Sequence, residues 1–166
     1  MKKCKLYVMC GIPGAGKSTF LKTIAKDQSA VISRDAIRFS LVREDEEYFS
    51  REKEVFNEFI HQIKQGINFN SEVYVDATHI NELSRAKLLR SLGTSLIDVE
   101  VNAIVIPASL ETALEQNENR KGTRGYVPRE VIRRMSSQFT YPTKEEGFEN
   151  IYILHNDKKE CERREI

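Results

Sequence analysis

Eight consecutive residues constrain this chain more than any other part of it: Gly11-Ile12-Pro13-Gly14-Ala15-Gly16-Lys17-Ser18. Its glycines let the backbone curl tightly, so that several N–H groups converge on one point. An apolar run, Leu6-Tyr7-Val8-Met9-Cys10, comes directly before it. Directly after it, Leu21, Ile24 and Ala25 mark the inward face of a helix that starts at Ser18. A buried strand, a glycine turn and a helix N-terminus, in that order, build an anion site in an α/β protein. The pattern G-x-x-x-x-G-K-[ST] adds a lysine for the β- and γ-phosphates of a nucleotide and a hydroxyl for magnesium. The expected contacts to ATP are Gly11, Pro13, Gly14, Ala15, Gly16, Lys17, Ser18 and Thr19, and Ser18 is also a metal ligand.

The rest of the chain alternates strand and helix patterns, which argues for a parallel sheet with helices on both faces. Ala30–Ser33, Val73–Asp76, Val99–Ile106 and Ile151–Leu154 read as further strands. A helix beginning near Asp35 has Ile37, Leu41 and Val42 as core candidates. Val55, Phe56, Phe59, Ile60 and Ile63 follow a 3.6-residue period that Gly66 is expected to stop. Asn81 caps a helix carrying Leu83, Ala86, Leu88, Leu89 and Leu92, and Ser109 caps another that runs to about Asn117. Pro128 opens a last helix with Val131, Ile132, Met135 and Phe139 inward. Residues 1–156 read as one domain, and a charged tail from Asp157 is expected on the surface.

The composition sets limits. With 40% hydrophobic and 31% charged residues, 166 residues suit one folded domain. A net charge of +1 leaves any nucleic-acid contact to a local patch. No apolar run is long enough to span a membrane, and the lysines near the N-terminus lead into a strand, not a signal peptide. The cysteines, Cys4, Cys10 and Cys161, have no zinc-type spacing, and Cys4 and Cys10 are too far apart along one strand to be bridged. Buried thiols and a cytoplasmic setting follow as the expectation.

Two further blocks suggest a phosphotransferase. Ser33-Arg34-Asp35-Ala36-Ile37-Arg38 lies just past the second strand, where open sheets place their ligands. Asp35 and Arg38 share a helical face there, as a base and a cation for an acceptor, or more simply as a helix N-cap or first-turn acid with Arg38 as its surface partner. The loop Asn119–Tyr126 sets Arg120, Lys121 and Arg124 among glycines, which suits a lid over polyphosphate or an ordinary solvated basic loop. Asp76 closes the third strand, either near the expected magnesium or simply as a cap of the following turn. No Asn-Lys-x-Asp element of a GTPase switch is present.

The order of these blocks resembles the kinase domain of phage and bacterial polynucleotide 5′-hydroxyl kinases, among the lid-bearing P-loop kinases grouped with AAA-type ATP-binding proteins. The matching segments are GIPGAGKST at 11–19, S-R-D-x-x-R at 33–38, VDATH at 75–79, N-x-N-R at 117–120, VPREVIRRM at 127–135 and EGFENIYIL at 146–154. The resemblance implies a P-loop NTP hydrolase fold similar to adenylate kinase, with a five-stranded parallel sheet in the order 2-3-1-4-5 and an arginine-rich lid. It implies transfer of the γ-phosphate of ATP or another NTP, with Mg2+, to the 5′-hydroxyl end of DNA or RNA. It makes Asp35 the general base and Arg38 the holder of the acceptor's phosphate. Arg120 or Arg124 becomes the arginine on the transferring group, Arg124 lying one insertion beyond the usual spacing. Asp76 becomes a metal ligand, through water or directly. His79 departs from the pattern, standing where Asn is common, and reads as a turn or core residue.

Two other functions fit the same residues: a P-loop kinase of a small molecule or aminoacyl-tRNA, and a non-catalytic ATP-binding regulatory module. Tyr48 and Phe49 bear on the first, since an aromatic ring near the cleft stacks bases, although core packing is the expectation for Phe49. Glu44-Asp45-Glu46-Glu47 is expected to face solvent, where it does not repel a polyanion. Nothing in the sequence determines the oligomeric state.

Overall fold

Strand β1, Cys4–Cys10, is apolar on both faces from Leu6 onward, as suits the middle of a parallel sheet. In the computed structural model, which describes residues 4–155 and 160–164, β1 pairs with β3 (Glu72–Asp76) and β4 (Val99–Val105). Outside these lie β2 (Ser29–Ser33) and β5 (Asn150–His155). The parallel order is 2-3-1-4-5, as expected. Cys10 opposite Val105 and Ser33 opposite Asp76 bring the carboxyl ends of these strands to one edge of the sheet.

Part of the charged tail pairs with the sheet. Glu160–Arg164 forms a sixth strand, β6, antiparallel to β5 with Ile153 opposite Glu162. Residues 157–159 and 165–166, which the sequence assigns to a surface tail, lie outside the described residues. A charged segment suits this position, because charge on an edge strand opposes further pairing.

The described residues form six α-helices, α1 (Lys17–Ile24), α2 (Arg34–Leu41), α3 (Glu52–Phe69), α4 (Glu82–Leu92), α5 (Leu110–Glu118) and α6 (Arg129–Gln138), with α2 packed on α3 and α6 on α5. On one face Val55, Phe59 and Ile63 of α3 and Leu88 and Leu92 of α4 bury against Leu6, Val8, Val73, Val75 and Ala103. Each fully buried side chain of this kind contributes about 1.5–3 kcal/mol. On the other face Leu21 of α1 meets Met9, Tyr74, Ile104 and Ile106. A smaller cluster of Ile12, Ile80, Ala113 and Ile132 seats α5 and α6 beneath the glycine loop.

Three local expectations fail for packing reasons. Gly66 does not stop α3, which runs on to Phe69. A Cβ at Gly66 would meet Val73 Cγ2 at 3.2 Å, so the glycine lets the helix lie close on β3. Leu83 points outward, and Arg85 takes the buried place on α4 instead. Ala25 is exposed, because α1 ends at Ile24.

Arg85 is fully buried, and every donor atom of its guanidinium is used. Its Nε donates to Glu146 Oε1 at 2.7 Å, and its Nη1 donates to the carbonyls of His79 and Thr140 at 3.0 and 2.9 Å. Its Nη2 reaches Thr140 Oγ1 and Glu146 Oε2. Removing one partner of such a buried pair costs about 3–5 kcal/mol, because the other charge is left buried and uncompensated. Cys4 and Cys10 are buried and free, and burial pushes the Cys10 thiol up to about 12. Among the described residues no helix is long and apolar enough to cross a membrane.

Candidate active site

The glycine loop begins where β1 ends. Gly11 N donates to Thr78 O at 2.9 Å, which ties the loop to the segment after β3. Gly14 adopts φ 84°, and a Cβ there would stand 2.4 Å from the Ala113 carbonyl oxygen, so only glycine fits beside α5. Gly16, at φ 96°, is the N-cap of α1 and brings no capping side chain, so the leading amides of the helix remain available to an anion.

Lys17 is buried, and its Nζ donates to the loop's own Ile12 carbonyl at 3.0 Å. Burial lowers its pKa to about 8, against the pull of Asp76 and Asp35. A polyphosphate in the loop replaces the carbonyl with a full counter-charge. Ser18 Oγ donates to Asp76 Oδ2 at 2.8 Å. A hydroxyl and a carboxylate are hard oxygen ligands of the type magnesium takes, with waters completing its shell. The loop, the ammonium and this pair therefore fit a magnesium nucleotide. Pro13, Gly14, Gly16, Lys17 and Ser18 line the cleft, while Gly11 and Ala15 support the loop from behind and Thr19 lies on the exposed side of α1.

The cleft, about 350 Å³ in volume, runs from this loop to α2 and α3. The N-cap of α2 is Ser33, whose hydroxyl accepts from Ala36 N at 3.2 Å. Asp35 is therefore not the cap. Its side chain is 64% exposed at the cleft. Asp35 Oδ1 accepts from Arg38 Nη1 at 2.5 Å and from the Tyr48 hydroxyl at 3.1 Å. Oδ2 has no partner among the described residues.

Arg38 is no surface partner, with 7% exposure. Its Nε and Nη2 fork onto Glu52 at 2.7 and 3.0 Å, and its guanidinium lies 4.8 Å from the centroid of the Tyr48 ring. Burial works against its charge, but the hydrogen bonds to Glu52 outweigh it and raise the pKa. Phe49 corrects the expectation of core packing. It is 53% exposed and lines the cleft edge-on to Tyr48. Of the acidic run, Glu44, Asp45 and Glu47 are exposed, and Glu46 is half-buried on Arg51.

The lid has a fixed base. Asn117 Nδ2 donates to Val127 O at 2.7 Å while Val127 N donates to Asn117 Oδ1 at 3.0 Å, closing both ends of the loop onto one amide. The two lid arginines go to different places. Arg120 lines the cleft, close enough to Lys17 to disfavour its charge. Arg124 does not line it. Its Nη1 and Nη2 donate to the carbonyls of Phe39 and Val42 at the end of α2, and its guanidinium lies 4.9 Å from the centroid of the Phe39 ring. His79 is a buried turn residue at φ 41°, with Nδ1 donating to Met9 O at 2.8 Å and a pKa lowered to about 4 by burial.

Glu52 and Lys87 also line the cleft, and local spacing marks neither; Arg34 and Asn117 stand in the segments 33–38 and 117–120, without a role assigned from the sequence. Glu52 sits 14 residues from Arg38, and only the packing of α3 on α2 unites them.

A parallel sheet ordered 2-3-1-4-5, with an anion loop after its first strand and a lid across the cleft, is the architecture of a P-loop kinase. The AAA domain family model matches residues 6–142, and the chain belongs to that family, which implies nucleotide binding at the loop. The chain is 30% identical over 143 residues to the L-seryl-tRNA(Sec) kinase of Methanococcus maripaludis, covering 82% of this chain and 53% of that protein. It thus spans about half the length of that curated relative. Among solved structures, Chaetomium thermophilum Kti12 in complex with ADP-AlF3 superposes with a TM-score of 0.65 at 17% identity, over 93% of this chain and 91% of that one. A chain of the Pnkp1/Rnl/Hen1 RNA repair complex gives 0.61 at 18% identity, over 83% of this chain and 44% of that one. At such identities the two structures speak for the fold.

Proposed function

We propose that the chain is an ATP-dependent kinase whose acceptor is the 5′-hydroxyl end of DNA or RNA. The observation that carries this reading is Asp35, with one oxygen held by Arg38 and Tyr48 and the other open to the cleft that Lys17 also lines. A binding module has no use for a base aimed past its nucleotide. Bound magnesium nucleotide supplies the phosphoryl group that moves. The loop amides and Lys17 hold its phosphates, with Ser18 and Asp76 as the magnesium side of the site. Asp35 Oδ2 takes the acceptor's hydroxyl proton. Lys17 and Arg120 oppose the charge that develops, each such contact contributing about 3–4 kcal/mol.

Arg38 fixes the carboxylate more than it grips the acceptor. Glu52, Asp35 and Tyr48 use all but one of its five N–H groups, which leaves one on Nη2 for an acceptor phosphate. Phe49 offers its exposed ring to the terminal base.

A second reading, phosphorylation of an aminoacyl hydroxyl on tRNA, is favoured by the 30% identity to the seryl-tRNA kinase. Incubation with labelled ATP and a panel of 5′-OH oligonucleotides, nucleosides and aminoacylated tRNA separates the two. Label on the oligonucleotides is the expected result. Label on charged tRNA alone selects the second reading, and label on nucleosides alone refutes both.

A further inference from the structure

Beyond Arg38 the acceptor wall holds more positive charge than the protein neutralises. Arg34 opens α2 and Lys87 projects from α4, and both line the cleft. They gather on one ring: the Arg34 guanidinium lies 5.5 Å and the Lys87 ammonium 4.4 Å from the centroid of Phe56. Arg34 Nη2 donates to Glu52 Oε2 at 3.2 Å and shares that single carboxylate with Arg38, whose Nη2 donates to the same oxygen at 3.0 Å. Arg34 Nε is buried without any hydrogen-bond partner. Lys87 has no carboxylate partner among the described residues. Three cations, Arg34, Arg38 and Lys87, thus face two acids, Asp35 and Glu52. His79 beside them is neutral. Burial lowers the pKa of Arg34, which marks a charge its own partners do not fully compensate.

A buried donor without an acceptor is unfavourable, and an anionic ligand that accepts from it recovers that loss on binding. Resting on the nucleic-acid reading above, we infer that Arg34 and Lys87 form a subsite for a backbone phosphate of the acceptor strand, beyond the reacting end. A phosphodiester oxygen accepts from Arg34 Nε–H while the Lys87 ammonium balances its charge. Phe56 keeps both cations at the wall when no acceptor is bound. The subsite selects a polyanionic acceptor over a neutral alcohol.

The test measures transfer from ATP to a 5′-OH oligonucleotide over a range of salt, for wild type, Lys87→Gln and Arg34→Lys. Lys87→Gln is expected to raise the acceptor KM about three- to tenfold, with a smaller change in kcat. It also lowers the slope of log KM against log salt by about 0.7, the value for one phosphate contact on a single strand. Arg34→Lys, which keeps the charge and loses Nε–H, raises acceptor KM in the same way. Oligonucleotides with a neutral methylphosphonate at each linkage in turn identify one position where the Lys87→Gln effect disappears. An unchanged salt slope for Lys87→Gln, a KM effect equal on charged and neutral linkages, or a shift in the KM of ATP instead would each overturn the subsite while wild-type transfer keeps the kinase reading. Wild-type protein that labels no nucleic acid would overturn both.

Discussion

Replacing Asp35 by Asn separates a catalytic carboxylate from a structural one. Asn keeps an oxygen where Oδ1 accepts from Arg38 Nη1 and Tyr48, and Arg38 keeps both bonds to Glu52. The cap of α2 belongs to Ser33 and is untouched. Since Asp35 is 64% exposed, the lost ion pair is screened and costs about 0.3–1 kcal/mol of stability. What disappears is the anionic Oδ2. A positioned base contributes 10²–10⁴ in rate, or about 2.7–5.5 kcal/mol of barrier. Transfer to a 5′-OH oligonucleotide should therefore fall by roughly that factor. The denaturation midpoint barely moves, and ATP affinity holds because the glycine loop is intact. The assay is a triple: urea midpoint, nucleotide affinity and single-turnover transfer, for wild type and D35N. A variant that transfers within a few-fold of wild type would refute the role of Asp35 as base. One that loses stability by several kcal/mol would refute the reading of its exposure and of the Ser33 cap.

Lys17→Ala should abolish transfer and leave the fold intact, because the ammonium serves phosphate and not the core; measurable wild-type rates would end the phosphate-loop assignment. Arg120→Ala should lower kcat, whereas Arg124→Ala, which releases the lid from the end of α2, should chiefly raise KM; equal small effects on both would count against the lid. His79 takes up a proton near pH 6.5 in the unfolded chain and only near 4 when buried, so its contribution is complete above pH 6.5 and is lost as pH falls towards 4. That loss amounts to roughly 3 kcal/mol. His79→Asn, which suits the positive φ and keeps a donor for Met9, should flatten this part of the acid profile, and matching midpoints for both proteins from pH 4 to 7 would contradict it.

Much of the frame is legible in the residue order because it rests on local physics. Phosphate loops need glycine at fixed positions, as Gly14 and Gly16 show by their positive φ. Parallel strands are buried on both faces and so read as apolar runs, and the alternation of strand and helix leads to the observed sheet order once the family resemblance is added. Helix caps at Asn81 and Ser109 are visible because a cap reaches only three residues ahead.

Contacts between distant segments were another matter. Pattern alone made Gly66 a helix stop, Leu83 a core residue and Asp35 a possible cap. Tertiary packing decided otherwise, through Val73 against the glycine, Glu146 drawing Arg85 inward, and Ser33 in the cap position. The same holds for β6, whose charged sequence has no strand periodicity and pairs only because β5 presents an open edge. The two lid arginines are alike as residue types, and only the approach of α2 to the lid sends Arg124 to the Phe39 and Val42 carbonyls while Arg120 stays at the cleft. A sequence determines directly what backbone conformation and short-range periodicity require. Which buried charges meet, and which donor is left without an acceptor, depends on how separate elements pack in space.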